Sequence, residues 1–173
     1  MKKILSCLLA VLLLVSVCAM AFADEEVPSV EPDKGVPTVT GGTDADGNDV
    51  TDAIVITDYA DKDTLPEDAQ EQLDAAFDAL QDLDALAEGN EELKALLDEG
   101  DADCEALFDI SVTGDIAFPV KLSLELLNPD NFAALLHFVD GEASVVDAEL
   151  EDAILTFTLE EIGSYAVLSF VEE

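Results

Sequence analysis

Apolar and polar residues alternate along four stretches of the C-terminal half of the chain, residues 108–112, 120–126, 145–150 and 154–159. A less regular apolar run covers 132–139, and another closes the chain at 165–170. Alternation puts every second side chain on one face of a strand, the mark of a half-buried antiparallel sheet. In the second stretch Val120, Leu122, Leu124 and Leu126 share one face, with Lys121, Ser123 and Glu125 on the other. In the fourth, Leu155, Phe157 and Leu159 point inward. Turn signals separate the runs: Gly114-Asp115, Asn128-Pro129-Asp130, Asp140-Gly141, Glu151-Asp152-Ala153 and Gly163-Ser164. Strands at roughly ten-residue spacing with turns between them predict a small β-sandwich.

Upstream the period changes. Residues 53–57, Ala-Ile-Val-Ile-Thr, form a short β-branched run that predicts a leading strand. Thr64-Leu65-Pro66-Glu67 has the spacing of a capping box. Beyond it Leu65, Ala69, Leu73, Ala76, Phe77, Leu80 and Leu83 recur every three or four residues, so they share one helical stripe. Glu67, Glu71, Asp74, Asp78 and Asp82 occupy the opposite face. Gly89-Asn90 ends this helix, and a second, shorter one is expected over 91–98, stopped by Gly100. The expected fold class is α+β: an N-terminal strand and two amphipathic helices packed on a small antiparallel sandwich of about six strands. The domain spans 53–173, with its sheet core at 105–170.

The N-terminus reads differently. Lys2 and Lys3 precede a nearly continuous apolar run over 4–17, and Ala21-Phe22-Ala23 offers small residues at the two positions a signal peptidase reads. Residues 1–23 are therefore expected to be a secretory signal peptide, with Asp24 as the new N-terminus and no stable membrane insertion after cleavage. Cys18 raises lipid anchoring as an alternative, which the Val17 before it disfavours. Residues 24–52 are rich in Asp, Glu, Pro, Gly and Thr and carry no aromatic side chain. They are expected to form an acidic, disordered linker, spanning about 30 Å root-mean-square.

Charge narrows the partners. The 173 residues hold 41 acidic side chains against 6 Lys and Arg, a net charge of −35. Removing 1–23 takes away two lysines and no acid, leaving −37. Such a surface repels phosphates and anionic headgroups, so nucleic acid is excluded as a partner. It also suggests cations. In Gly42-Thr43-Asp44-Ala45-Asp46-Gly47-Asn48-Asp49, placing Gly47 sixth in a calcium loop puts Gly42 first and Ala53 twelfth, both wrong for that loop. Acidic clusters at Glu149, Glu151 and Asp152 and at Glu160 and Glu161 could hold a divalent ion at loop tips, but the expected reading is a solvated acidic rim.

Catalytic chemistry is thinly represented. His137 is the only histidine, too few for a triad or a His-ligated metal, and is expected to be a surface or hydrogen-bonded structural residue. Cys104 is the only cysteine beyond the signal peptide, so no intramolecular disulfide forms there, and a buried thiol is expected. With no Trp, and with Tyr59 and Tyr165 as the only tyrosines, a sugar-stacking platform is disfavoured. Tyr165 is expected to be buried with its hydroxyl on a backbone partner. No enzyme, catalytic residue or cofactor is expected, and no metal ligand can be assigned.

The segments Leu107-Phe108-Asp109-Ile110-Ser111, His137-Phe138-Val139-Asp140-Gly141-Glu142 and Leu155-Thr156-Phe157 with Gly163-Ser164-Tyr165-Ala166-Val167 resemble a β-rich module of secreted and wall-associated proteins of Gram-positive bacteria. The resemblance covers about 53–170. It implies an extracellular accessory module, and no catalytic residue comes with it. The chain stops at Glu173 without a sorting motif or apolar tail, a departure that weakens the case for wall attachment. The expected function is a secreted, non-enzymatic module for surface interaction or scaffolding with a cell-surface or extracellular protein partner. The alternative is an acidic protein that binds calcium, specifically or weakly.

Overall fold

The computed structural model describes residues 35–171. The expected signal peptide, Cys18 and residues 24–34 of the expected linker lie outside the described residues. Among the described residues nine strands form two antiparallel sheets: β1 (Thr38–Thr43), β2 (Ile54–Asp58), β3 (Ala102–Val112), β4 (Val120–Glu125), β5 (Phe132–Val139), β6 (Glu142–Val146), β7 (Ala148–Glu151), β8 (Ile154–Leu159) and β9 (Gly163–Phe170). One sheet runs β1-β4-β8-β7 and the other β2-β3-β9-β5-β6. The expectation of mixed helix and sheet with an antiparallel sandwich holds at that level; nine strands replace about six.

Two of the extra strands come from chemistry that period-2 reasoning does not catch. Residues 38–43, expected to be disordered linker, form β1 and pair with β4 from Thr38↔Glu125 to Thr43↔Lys121. Val36 and Val39 pack on the inter-sheet core, and that apolar contact orders a stretch too polar to order itself. The run 145–150, expected to be one strand, is split. β6 pairs with β5 in one sheet, β7 pairs with β8 in the other, and Asp147 makes the crossing.

The molecule has three layers. Phe108, Ile110, Leu122, Leu124, Leu135, Leu155, Phe157, Tyr165 and Val167 fill the space between the sheets. On its other face the five-stranded sheet is covered by α1 (Glu67–Leu80), α2 (Leu83–Ala87) and α3 (Glu91–Leu97). There Leu73, Ala76, Leu80 and Leu93 meet Leu107, Leu136, Phe138, Ala166 and Leu168. The predicted long helix thus breaks after Leu80. Asp82 caps a new turn by accepting from Ala85 N at 2.9 Å. The capping box is not formed either. Thr64 closes a 3₁₀ turn and donates to Asp61 O, while Pro66 holds the cap position of α1 without a side-chain bond. Among the described residues no helix is long and apolar enough to cross a membrane.

Candidate functional site

The connections 44–53, 113–119, 140–141 and 160–162 all lie at one end of the sandwich, because β3, β5 and β8 end there while β2, β4, β6 and β9 begin there. Beneath this end His137 stacks on Tyr165, ring centroids 4.6 Å apart, and Tyr165 in turn lies 6.0 Å from Phe157 and 6.4 Å from Phe108. The Tyr165 hydroxyl donates to Glu161 O at 2.8 Å. This matches the buried, backbone-bonded role expected of that ring. Burial, and then the carboxylates Glu161, Asp109 and Glu160, push the phenol further from ionisation. Burial likewise holds the His137 imidazole below its ordinary value, against the opposing pull of Glu161. Its Nε2 is buried and makes no hydrogen bond, so in place of the expected surface or hydrogen-bonded residue His137 is a ring held by stacking. Gly163 lies against it: a Cβ there would stand 3.4 Å from His137 Nε2 and 3.8 Å from Gln72 Oε1.

Around this core three apolar side chains remain exposed. Phe118 is 37% exposed, Ile162 48% and Val139 47%. The Val120↔Leu159 register sets Phe118 across from the 160–162 connection, and Phe138↔Ser164 sets Val139 beside Gly163. Asp115, Asp140, Glu160 and Glu161 stand in the same connections, so the apolar group has an acidic surround.

A second polar group lies on the helix-covered face of the same sheet. β2, β3 and β9 are adjacent, with Thr57 paired to Asp109 and Asp109 to Ser164. Parity places all three under the helices. Phe108 and Ile110 face the inter-sheet core, so Asp109 faces α1, as do Leu107, Ala166 and Leu168. Asp109 is 4% exposed and Ser164 fully buried, with no hydrogen-bond partner for Ser164 Oγ. Burial pushes the Asp109 carboxyl up to about 6, and Asp68 on α1 adds to the effect. Sequence reasoning did not single out this row. The available signal was a carboxylate inside the apolar run Leu107-Phe108-Asp109-Ile110.

The residues weighed for cations are placed apart. Asp44 turns its carboxylate inward on its own loop, accepting from Asp46 N at 3.0 Å, Asn48 N at 2.8 Å and Asn48 Nδ2 at 2.9 Å. Those bonds, the Asn48 side chain first, hold Asp44 below its usual carboxylate value. The loop is thus an Asx turn that closes on amide donors. Glu149 and Glu151 lie on β7 opposite Thr156 and Ile154 of β8, and Glu160 and Glu161 follow the far end of β8, about 13–20 Å away at ~3.3 Å per residue. Cys104 is buried in β3 among the residues under the helices. Two open grooves, about 460 Å³ along 132–135 and 145–148 and about 650 Å³ along 97–101 and 170–171, reach neither polar group.

No protein-family model, curated protein or solved structure matches this chain. What the loop end and the buried row can do therefore rests on their own chemistry. The loop end offers apolar contact ringed by negative charge, and the row offers an all-oxygen donor set under a helix.

Proposed function

We propose that the chain is a secreted, non-enzymatic extracellular module that works by surface interaction or scaffolding, engaging its partner through the loop end of the sandwich. The observation behind this reading is the convergence of Phe118, Val139 and Ile162 at one end, each more than a third exposed. Exposed apolar side chains gathered at one end among polar residues have the composition of a protein contact. With Asp115, Asp140, Glu160 and Glu161 around it, the complementary surface is apolar at its centre and basic at its edge. The signal-like N-terminus and the resemblance to wall-associated modules support an extracellular setting. The second reading, an acidic cation-binding protein, is favoured by the net charge of −35.

Binding of a fluorescent chain, residues 24–173, to intact cells of its own species tests the first reading. Salt-sensitive retention is expected for the wild type. Loss is expected for Phe118→Ser/Val139→Ser/Ile162→Ser with an unchanged melting temperature. No retention of the wild type, or equal retention of the variant, would overturn the reading.

A further inference from the structure

β5 starts at Phe132, but β6 runs beside it only as far as Leu135↔Val146. There Asp147 carries the chain across to β7 in the other sheet. On its opposite side β5 stays paired with β9 as far as Phe132↔Ser169. Since β6 is the outermost strand of the five-stranded sheet, residues 132–134 have no strand neighbour on that side. The uncovered stretch is about 10 Å long at ~3.3 Å per residue. It borders the groove of about 460 Å³ between 132–135 and 145–148. An uncovered strand edge offers backbone hydrogen-bonding groups that a second extended chain can satisfy.

The two faces of this slot differ in chemistry. Toward the inter-sheet core it is lined by Phe132, Val146 and Ala148, all half-buried. Toward the helices it is lined by Ala133 and Val145, with the exposed Glu92 beside them. Asn90 ties the start of α3 to this place, its Nδ2 donating to Ala143 O of β6 at 3.0 Å. Asp147, also exposed, stands where β6 leaves the sheet. Side chains of an added strand would alternate between the two faces, one set on apolar surface and the other beside a carboxylate. Charge decides among the occupants. The lining has carboxylates and no basic side chain. A second copy would bring another surface from a chain of net charge −35. Residues 24–34 hold five acids and two prolines against one lysine, so they would set acid against Glu92 and Asp147, and proline has no N–H to give to a ladder. A basic segment of another protein is the complementary occupant.

We propose that this slot takes an extended peptide of another protein, with alternating apolar and basic residues, as a short strand added beside Phe132–Ala134. The apolar side chains cover Phe132, Val146 and Ala148, and a basic one reaches Glu92. Backbone bonding to the edge of β5 supplies affinity, and the alternation supplies selectivity. The slot lies at the opposite end of β5 from Val139, so it is a contact separate from the loop end and does not rest on it.

Nuclear magnetic resonance of isotope-labelled residues 24–173, titrated with a synthetic peptide of alternating lysine and valine, tests the slot. Saturable shifts confined to 132–135, 145–148 and Glu92 are expected. Two control peptides should each bind about tenfold more weakly or worse. One has the same composition with its lysines and valines in separate blocks, and the other is the alternating peptide N-methylated throughout its backbone. Glu92→Gln/Asp147→Asn should weaken binding roughly threefold or more, the size of two exposed charge contacts. Glu71→Gln/Glu125→Gln, on the exposed faces of α1 and β4, should leave it unchanged. Ala133→Phe fills the slot and should abolish the shifts; its melting curve shows whether it is folded, and the wild-type titrations decide the matter if it is not. Equal binding of the alternating and block peptides, or shifts spread over the acidic surface, would overturn the slot in favour of diffuse charge attraction. Shifts at 113–119, 139–141 and 160–162 instead would overturn it in favour of the loop end. An absence of binding would overturn the slot and leave the loop end to its own cell-binding test.

Discussion

Replacing Asp109 by Asn should stabilise the protein at neutral pH, which is unusual for a change at a residue only 4% exposed. The magnitude follows from the ionisation of the carboxyl. Its displacement from 3.8 to about 6 in the folded state corresponds to about 3 kcal/mol at ~1.36 kcal/mol per pH unit. The sign is set by the folded state holding the proton more tightly than the unfolded one. Wild-type stability from this group is fully present below about pH 4 and is lost as the pH rises through about 6. The groups facing Asp109 are Thr57 and Ser164, both uncharged, and Asp68 from α1, which adds repulsion at neutral pH. Asn keeps the shape without the charge. Above pH 7 it should therefore gain about 1–3 kcal/mol, or roughly 3–10 °C in melting temperature for a chain of this size. The assay is chemical denaturation in chelator from pH 4 to 8, read as the difference between variant and wild type. All other carboxylates are common to both chains and largely cancel. The difference should be near zero at pH 4, grow between pH 4 and 6, and level off above pH 7. A variant no more stable than the wild type at pH 7.5, or a difference that does not change with pH, would refute the reasoning.

Two other perturbations probe the framework. A chain beginning at Ala53 lacks β1 and uncovers one edge of β4 together with the core contacts of Val36 and Val39; it should lose cooperative unfolding and scatter light, and a sharp melt within a few degrees of residues 24–173 would show that β1 is dispensable. Gly163 has φ 147° and no room to spare beside His137 Nε2 at 3.4 Å, so Gly163→Ala should cost about 1–3 kcal/mol in urea denaturation, and a change below half a kcal/mol would mean that the turn relaxes freely.

What could be read from the sequence follows from how many faces of each strand are dry. β4 has one face on the inter-sheet core and one in water, so Val120, Leu122 and Leu124 alternate cleanly with Lys121, Ser123 and Glu125. β3 and β9 are buried on both faces, between the four-stranded sheet and the helices, and their near-continuous apolar runs hide the period. β1 was illegible for the opposite reason. Thr38-Val39-Thr40-Gly41-Gly42-Thr43 carries one large apolar residue, and its order comes from its partner strand. The split at Asp147 left no signal because the alternation continues while the chain changes sheets, and no Gly or Pro marks the corner. The helix break at Gln81–Asp82 was hidden in a stripe whose spacing runs on through Leu83. At the candidate sites, the roles of Tyr165 and Cys104 were legible from residue type. The Thr57–Asp109–Ser164 row was not, since pairing across three strands separated by up to 107 residues is a property of register.

The position of that row explains why charge balance and fold belong to one question in this protein. A central sheet covered on both faces has no wet side, so a polar side chain on β3 or β9 is either buried or at an end. Asp109 and Ser164 occupy places where a pair of apolar residues would add to the core under α1, and burial there disfavours the charged form of the carboxyl. The remedy usually available inside a protein is an arginine or lysine neighbour. This chain has no arginine, four lysines after residue 23, and 41 acids competing for them. Lys62 is engaged with Asp74, Lys121 stands on the outer face of the four-stranded sheet, and Lys94 lies on α3. With the described lysines placed elsewhere, the carboxylate beneath α1 is neutralised by a proton, which burial lets it hold up to about pH 6.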